Sequence, residues 1–167
     1  LEKMTRSQKQ VDEAKTIGEG EPVVRIMTIH KSKGLEFPLV YLAGLSREFN
    51  TSDQKQTLLL QRELGIGAKA VEDENYLVYE TLPYTAVRER IRRQNLAEEM
   101  RVLYVAMTRA REQLILTGTR PESAAVRSDY PQAGWVMPAY QALSAKSYMD
   151  WLEAVLQKRG NTGIRWE

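Results

Sequence analysis

Three short runs in this chain are apolar at both odd and even positions: Val23–Ile29 (VVRIMTI), Leu39–Leu45 (LVYLAGL) and Leu114–Thr119 (LILTGT). A strand that is apolar on both of its faces is one covered from both sides, as in a parallel sheet. The third run follows a long helical stretch and not a hairpin turn, which favours crossover connections. In that stretch, Ala86 to Arg111, the apolar residues Ile91, Leu96, Met100, Leu103, Tyr104, Met107 and Ala110 recur mostly at three- and four-residue steps. One long or kinked helix with a core-facing stripe is predicted, with Tyr104 and Met107 on the stripe. Its other face carries Arg88, Arg90, Arg92 and Arg93, which read as a solvated face first and a DNA groove second. Arg111 reads as surface.

The intervening excursion, Ser46 to Tyr84, has the character of an insertion, with QTLLLQREL helical and GIGAKAVEDENYLVYETLP irregular around at most a short strand. Before it, Leu1 to Pro22 is polar and ends in GEGEP, a connector or the end of a preceding helix. After Pro121 loops are expected, then an amphipathic helix over SAKSYMDWLEAVLQ with Ser144 as its N-cap. The expected fold class is α/β: parallel strands with packed helices. The predicted organisation is a connector over 1–22, a lobe over 23–120 with an insertion at 46–84, and a loop and terminal helix over 121–167.

Composition narrows the chemistry. The 167 residues are 43% hydrophobic and 28% charged, enough apolar content for a real core. With no cysteine, disulfide scaffolds, thiol catalysis, Fe–S clusters and cysteine-based zinc sites are excluded, and a single histidine excludes a His-rich metal site. No metal site is expected. Lys and Arg number 24 against 22 Asp and Glu, so the net charge of +2 announces no nucleic acid, and such a partner has to be argued from a local site. No apolar run approaches the ~18–20 residues that span a bilayer, and LEKMTRSQKQ lacks the apolar part of a secretory signal. A soluble, cytoplasmic setting without a membrane partner is expected.

The most polar patch beside a predicted strand is Thr28, His30, Lys31, Ser32, Lys33 and Gly34. Ligands of open parallel sheets bind outside the carboxyl ends of strands, where the first run would deliver this patch. Amides around a glycine, hydroxyls and lysines hold phosphate oxygens, so a phosphate-bearing ligand is expected there. The Walker spacing of glycines before Lys-Ser/Thr occurs nowhere in the chain, so any nucleotide site is incomplete.

VRIMTIHKSKGLEFPLVYLAGL resembles motif V, and EEMRVLYVAMTRAREQLIL resembles motif VI, of superfamily 1 DNA helicases of the UvrD/RecB-like kind. LSREFN and QRELGIGAKAVEDENYLVYETLPYTAVRERIRRQ are most similar to the AddA family, the helicase and nuclease subunits of bacterial recombination enzymes. UvrD-like and PcrA-like helicases usually continue instead with an acidic glycine-proline turn. The resemblance covers Val23 to Thr119 well and the stretch around SAKSYMDWL more loosely. It implies the C-terminal part of a second RecA-like lobe in an ATP-dependent DNA helicase and exonuclease that processes double-strand ends for recombinational repair. The implied ligands and partners are ATP with Mg, single-stranded tails and duplex ends of DNA, and an AddB-type subunit in a heterodimer.

Residue by residue, the resemblance implies that His30 contacts single-stranded DNA, with Thr28 close to the same strand. Gly34 and Glu36 would lie near the nucleotide, the glutamate at its ribose. Arg109 would be the arginine finger, giving an always charged fork to the γ-phosphate as charge develops. The Walker A lysine, the Walker B carboxylates and the nuclease motif are expected outside these residues, so the chain alone is expected to be inactive. Blander readings stand beside these: a solvated loop histidine, a surface Glu36, and an Arg109 that caps helix carbonyls. Two other functions fit the same residues, a UvrD/PcrA-type repair helicase and a nucleic-acid-binding module without hydrolysis.

Overall fold

A computed structural model of the protein describes residues 23–72, 75–119 and 136–158. Its organising element is the 26-residue helix α1, Leu82–Met107, about 39 Å long at 1.5 Å per residue. Thr81, in extended conformation, starts it by accepting the Tyr84 amide at 3.2 Å, and Pro83 in the first turn has no amide to leave unpaired. The Thr81 hydroxyl also donates to the Ala68 carbonyl at 2.7 Å, fixing the helix start to the preceding sheet.

Two sheets share this helix. Strand β1, Phe37–Leu42, pairs in parallel with β5, Ala110–Leu116, the strand that follows α1. Between them in sequence, β2 (Leu58–Gln61), β3 (Gly65–Glu72) and β4 (Leu77–Glu80) form an antiparallel sheet in the order β2-β3-β4. The first half of α1 buries Tyr84 and Val87 with Leu59 of β2. Its second half buries Leu96, Leu103 and Ala106 with Leu42, Leu45 and Trp151. One helix thus carries a small core for the antiparallel sheet and a larger one for the parallel pair.

The tail completes the larger core. Helices α2 (Ala139–Ser144) and α3 (Tyr148–Lys158) dock on the loop after β1: the Met149 amide donates to the Leu45 carbonyl and the Phe49 amide to the Lys146 carbonyl, at 2.9 and 2.8 Å. Phe49 meets the Tyr148 and Trp151 rings, each at 5.1 Å between centroids, and Trp151 Nε1 donates to the Ala142 carbonyl at 2.9 Å. Burial, and then a hydrogen bond to Glu99, hold the Tyr148 phenol above its ordinary pKa.

The α/β class and the parallel pairing hold, and several expectations are corrected. Val23–Ile29 forms no strand: Val24 and Ile26 are 96% and 98% exposed, and no described strand pairs with the run. A strand exists through its ladder, so apolar character without a neighbour does not make one. The QTLLLQREL stretch is not helical. Leu59 and Gln61 face inward and Leu58 and Leu60 outward, and Gln61 Oε1 accepts the Glu63 and Leu64 amides, both at 2.7 Å, ahead of Gly65 at φ +80°. That turn chemistry outweighs the helix preference of three leucines. GIGAKAVEDENYLVYETLP then supplies β3 and β4, which continue β2 as an antiparallel meander.

Boundaries shift as well. Helix α1 starts four residues before Ala86 and ends before Arg111, because Ala110 already pairs with Phe37. Ser144 ends α2, its hydroxyl donating to the Gln141 carbonyl at 2.9 Å, and is not the N-cap of α3. The cap of α3 is Ser147, whose Oγ accepts the Asp150 amide at 3.3 Å while Asp150 Oδ2 accepts the Lys146 and Ser147 amides. Tyr104 and Met107 are exposed, since the buried face of the helix runs through Leu96, Leu103 and Ala106. The connector 1–22 and the loop region 121–135 lie outside the described residues.

Candidate functional site

The parallel register sets the site. Phe37 faces Ala110, and the Phe37 amide donates to the Arg109 carbonyl at 2.9 Å. The loop before β1 and the end of α1 therefore meet at the amino ends of the paired strands. The expected delivery of this loop from the carboxyl end of a first strand falls away with that strand.

The loop is held by its own hydrogen bonds. His30–Ser32 makes one 3-10 turn, in which Thr28 Oγ1 accepts the Lys31 amide at 3.3 Å and Ser32 Oγ donates to the Ile29 carbonyl at 2.7 Å. Ser32 is buried, whereas His30, Lys31 and Lys33 point to solvent. Gly34 has φ +84°, a left-handed conformation that suits glycine, with open space where a Cβ would stand. A short relay of amides runs along the loop, Leu35 to the Ser32 carbonyl and Ser32 to the Thr28 carbonyl, so His30 and Thr28 sit at the far end of the turn whose near end is Leu35.

Arg109 closes the arrangement. Its Nε donates to the Val105 carbonyl at 2.9 Å, Nη1 to the Leu35 carbonyl at 3.0 Å and Nη2 to Thr108 Oγ1 at 3.1 Å. A guanidinium has five N–H groups, so these three bonds leave one on each terminal nitrogen. The capping alternative is thus realised at Nε alone. Beside it Glu36 lies 3.9 Å from Arg111, with both side chains about two-thirds exposed, a pair worth about 0–1 kcal/mol. The structure brings Leu35, Glu36, Thr108, Arg109 and Arg111 together, and places Gly34 on the same loop with Thr28 and His30 one turn away.

Sequence reasoning misses Thr108 and the Leu35 carbonyl. A threonine directly after a long helix is the available signal for the first, and a backbone oxygen has none. The arginines of α1 are engaged within the chain: Arg88 with Glu80, Arg90 with Glu63, Arg92 and Arg93 with Glu89, and Arg101 with Glu98. Hydrogen bonds from Arg92 and Arg93 lower the Glu89 pKa to about 2. Arg92 also donates to the Leu143 carbonyl at 2.6 Å, fastening α2 to α1. This is the solvated-face reading, with one structural strut.

Among the described residues no group of three or more His, Asp or Glu side chains is gathered to hold a metal ion. Nor is any described helix long and apolar enough to cross a membrane.

Comparison with known proteins agrees with the motifs. A relative from Oceanobacillus iheyensis, named as an ATP-dependent helicase/nuclease subunit, is 44% identical over 174 residues, covering 100% of this chain and 14% of the relative. Proteins of the same name from Bacillus cytotoxicus and Geobacillus kaustophilus are 41% and 42% identical, over 100% and 98% of this chain. The chain spans about 14% of the length of the first of these relatives and 13% of the Geobacillus protein. The UvrD-like helicase C-terminal domain matches residues 2–120, and with that match over most of its length the chain belongs to the UvrD-like helicase C-terminal domain family.

Proposed function

We propose that this chain is the C-terminal part of the second RecA-like lobe of an AddA-type, ATP-dependent DNA helicase and nuclease, with residues 23–120 in the lobe and helices α2 and α3 packed onto its core. The observation that carries the reading is the clasp between Arg109 and Leu35, which joins the two motif-like segments into one constellation with two guanidinium N–H groups still available. That donor set suits a triphosphate: a fixed cation with free donors, a glycine without a Cβ, and exposed lysines.

In this reading Arg109 stabilises the charge that develops on the γ-phosphate during transfer to water. Gly34 lets the backbone approach the nucleotide, and Glu36 accepts from its ribose hydroxyls. Mg bound with ATP would neutralise phosphate charge, and none of the described residues is assigned to hold it. At the other end of the turn His30 and Thr28 face single-stranded DNA. An AddB-type subunit, duplex DNA ends and a cytoplasmic setting complete the proposal. The shared loop offers a short route from γ-phosphate to DNA grip, and coupling through it requires two distinct states.

The test is single-strand affinity in the full-length protein. His30→Ala is expected to weaken binding of an oligothymidylate several-fold, by loss of about 1 kcal/mol, while the KM for ATP stays within about twofold. Unchanged oligonucleotide affinity together with a raised KM would move His30 to the nucleotide side and overturn the assignment.

A further inference from the structure

Resting on the reading of Arg109 as the γ-phosphate contact, we propose that Thr108 is a positioning residue that aims its guanidinium. Thr108 is the residue at which α1 ends, with φ −81° and ψ 4°. Its hydroxyl has one proton, and the Tyr104 and Val105 carbonyls both lie 3.0 Å from Oγ1 to receive it. The hydroxyl is therefore turned so that a lone pair is left for Arg109 Nη2, at 3.1 Å. The chain of dependence runs from helix end to hydroxyl to guanidinium. The Leu35 carbonyl holds the other terminal nitrogen.

With Nε on Val105, all three nitrogens are anchored, and the two remaining N–H groups point from a plane that is already set. A finger fixed in this way needs no reorganisation as charge develops, which is where orientation lowers a barrier. The Thr108 side chain is exposed, so its bond to Arg109 contributes little to folding. Its value lies in direction.

The experiment uses the full-length protein and DNA-stimulated ATP hydrolysis, with Thr108→Val, Thr108→Ser, Arg109→Ala and the Thr108→Val/Arg109→Ala pair. Thr108→Val keeps the shape and removes the acceptor, and is expected to lower kcat about tenfold with KM for ATP within about twofold. Thr108→Ser restores the acceptor and should recover most of kcat. In the Arg109→Ala background, itself slower by on the order of 10³, Thr108→Val should cost nothing more. A full kcat in Thr108→Val beside a crippled Arg109→Ala overturns the role of Thr108. A tenfold loss that persists in the Arg109→Ala background also overturns it, because Thr108 would then act on something else. If Arg109→Ala stays within about threefold of wild type, the finger reading fails first.

Discussion

Gly67→Ala tests how the antiparallel sheet is fastened to α1. Gly67 lies on β3 opposite Leu59, on the face that covers the helix. A Cβ built there would stand 2.8 Å from Tyr84 Cα, 3.0 Å from the Pro83 carbonyl oxygen and 3.0 Å from Val87 Cβ. Two of these obstacles are helix backbone and cannot rotate away, so the sheet has to lift from α1. Lifting it opens the contact that buries Leu59, Tyr84 and Val87, at 3%, 0% and 1% exposure. Overpacking of this kind costs about 1–3 kcal/mol, and an immovable neighbour places it toward the upper end. Against this stands a gain of about 0.4–1 kcal/mol from replacing glycine in the unfolded chain. The net expectation is a loss of about 1–2 kcal/mol, confined to the antiparallel sheet and its contact with α1. Amide hydrogen exchange followed by mass spectrometry reads this directly: protection should fall in β2 and β3 and persist in β1 and β5. Unchanged or increased protection across Leu58–Gln61 would refute the close approach.

Two further outcomes follow from the same geometry. Glu89 has its pKa held near 2, below the ordinary 4.5, so its ion pairs stabilise the fold fully above pH 4.5 and lose that contribution as pH falls from 4.5 through 2. Because the side chains are over a third exposed, the contribution is about 0.5–1 kcal/mol, and the urea midpoints of wild type and Glu89→Gln should differ at pH 7 and converge near pH 2; a constant gap would contradict the pairing. The 167-residue chain on its own should hydrolyse no ATP, since no Walker-type phosphate loop is present in it. An ATPase activity that follows the purified chain through every column and responds to Arg109→Ala would overturn this.

The long helix is legible because Leu96 and Leu103 announce burial whatever surrounds them, whereas the parallel pair is legible as strands but not as strands covered on both faces: only Leu42 of β1 is buried, and Leu39 and Tyr41 are 45% and 65% exposed. Val23–Ile29 shows the limit of that signal, since apolarity states that a segment is suited to a sheet and not that a neighbouring strand is there. Leu58–Leu60 satisfies helix and strand equally, and the deciding residues, Gln61 and Gly65, lie beyond it in the turn. Ser147 is preferable to Ser144 on sequence grounds too, because only Ser147 has a carboxylate three residues on, at Asp150. Tyr104 reads as core because it is spaced four and three residues from Met100 and Met107, yet all three are exposed, and Leu103, about 100° away around the helix, lies on the face that is buried. In the site, side-chain types are readable through the motifs, whereas the contacts that gather them run largely through the Leu35, Val105 and Arg109 carbonyls. Backbone atoms carry no sequence signature, so this part comes only from the fold.

The proposed role of Arg109, clasped to the loop that precedes β1, is to act on the γ-phosphate during turnover. The most direct measurement is single-turnover ATP hydrolysis by full-length Arg109→Ala with single-stranded DNA present, alongside equilibrium binding of a non-hydrolysable ATP analogue. A loss on the order of 10³ in the hydrolysis rate with analogue affinity within a few-fold of wild type is expected, because a guanidinium in this role would act mainly on charge that develops in the transition state. Hydrolysis within about threefold of wild type, or a fall in affinity as large as the fall in rate, would contradict it.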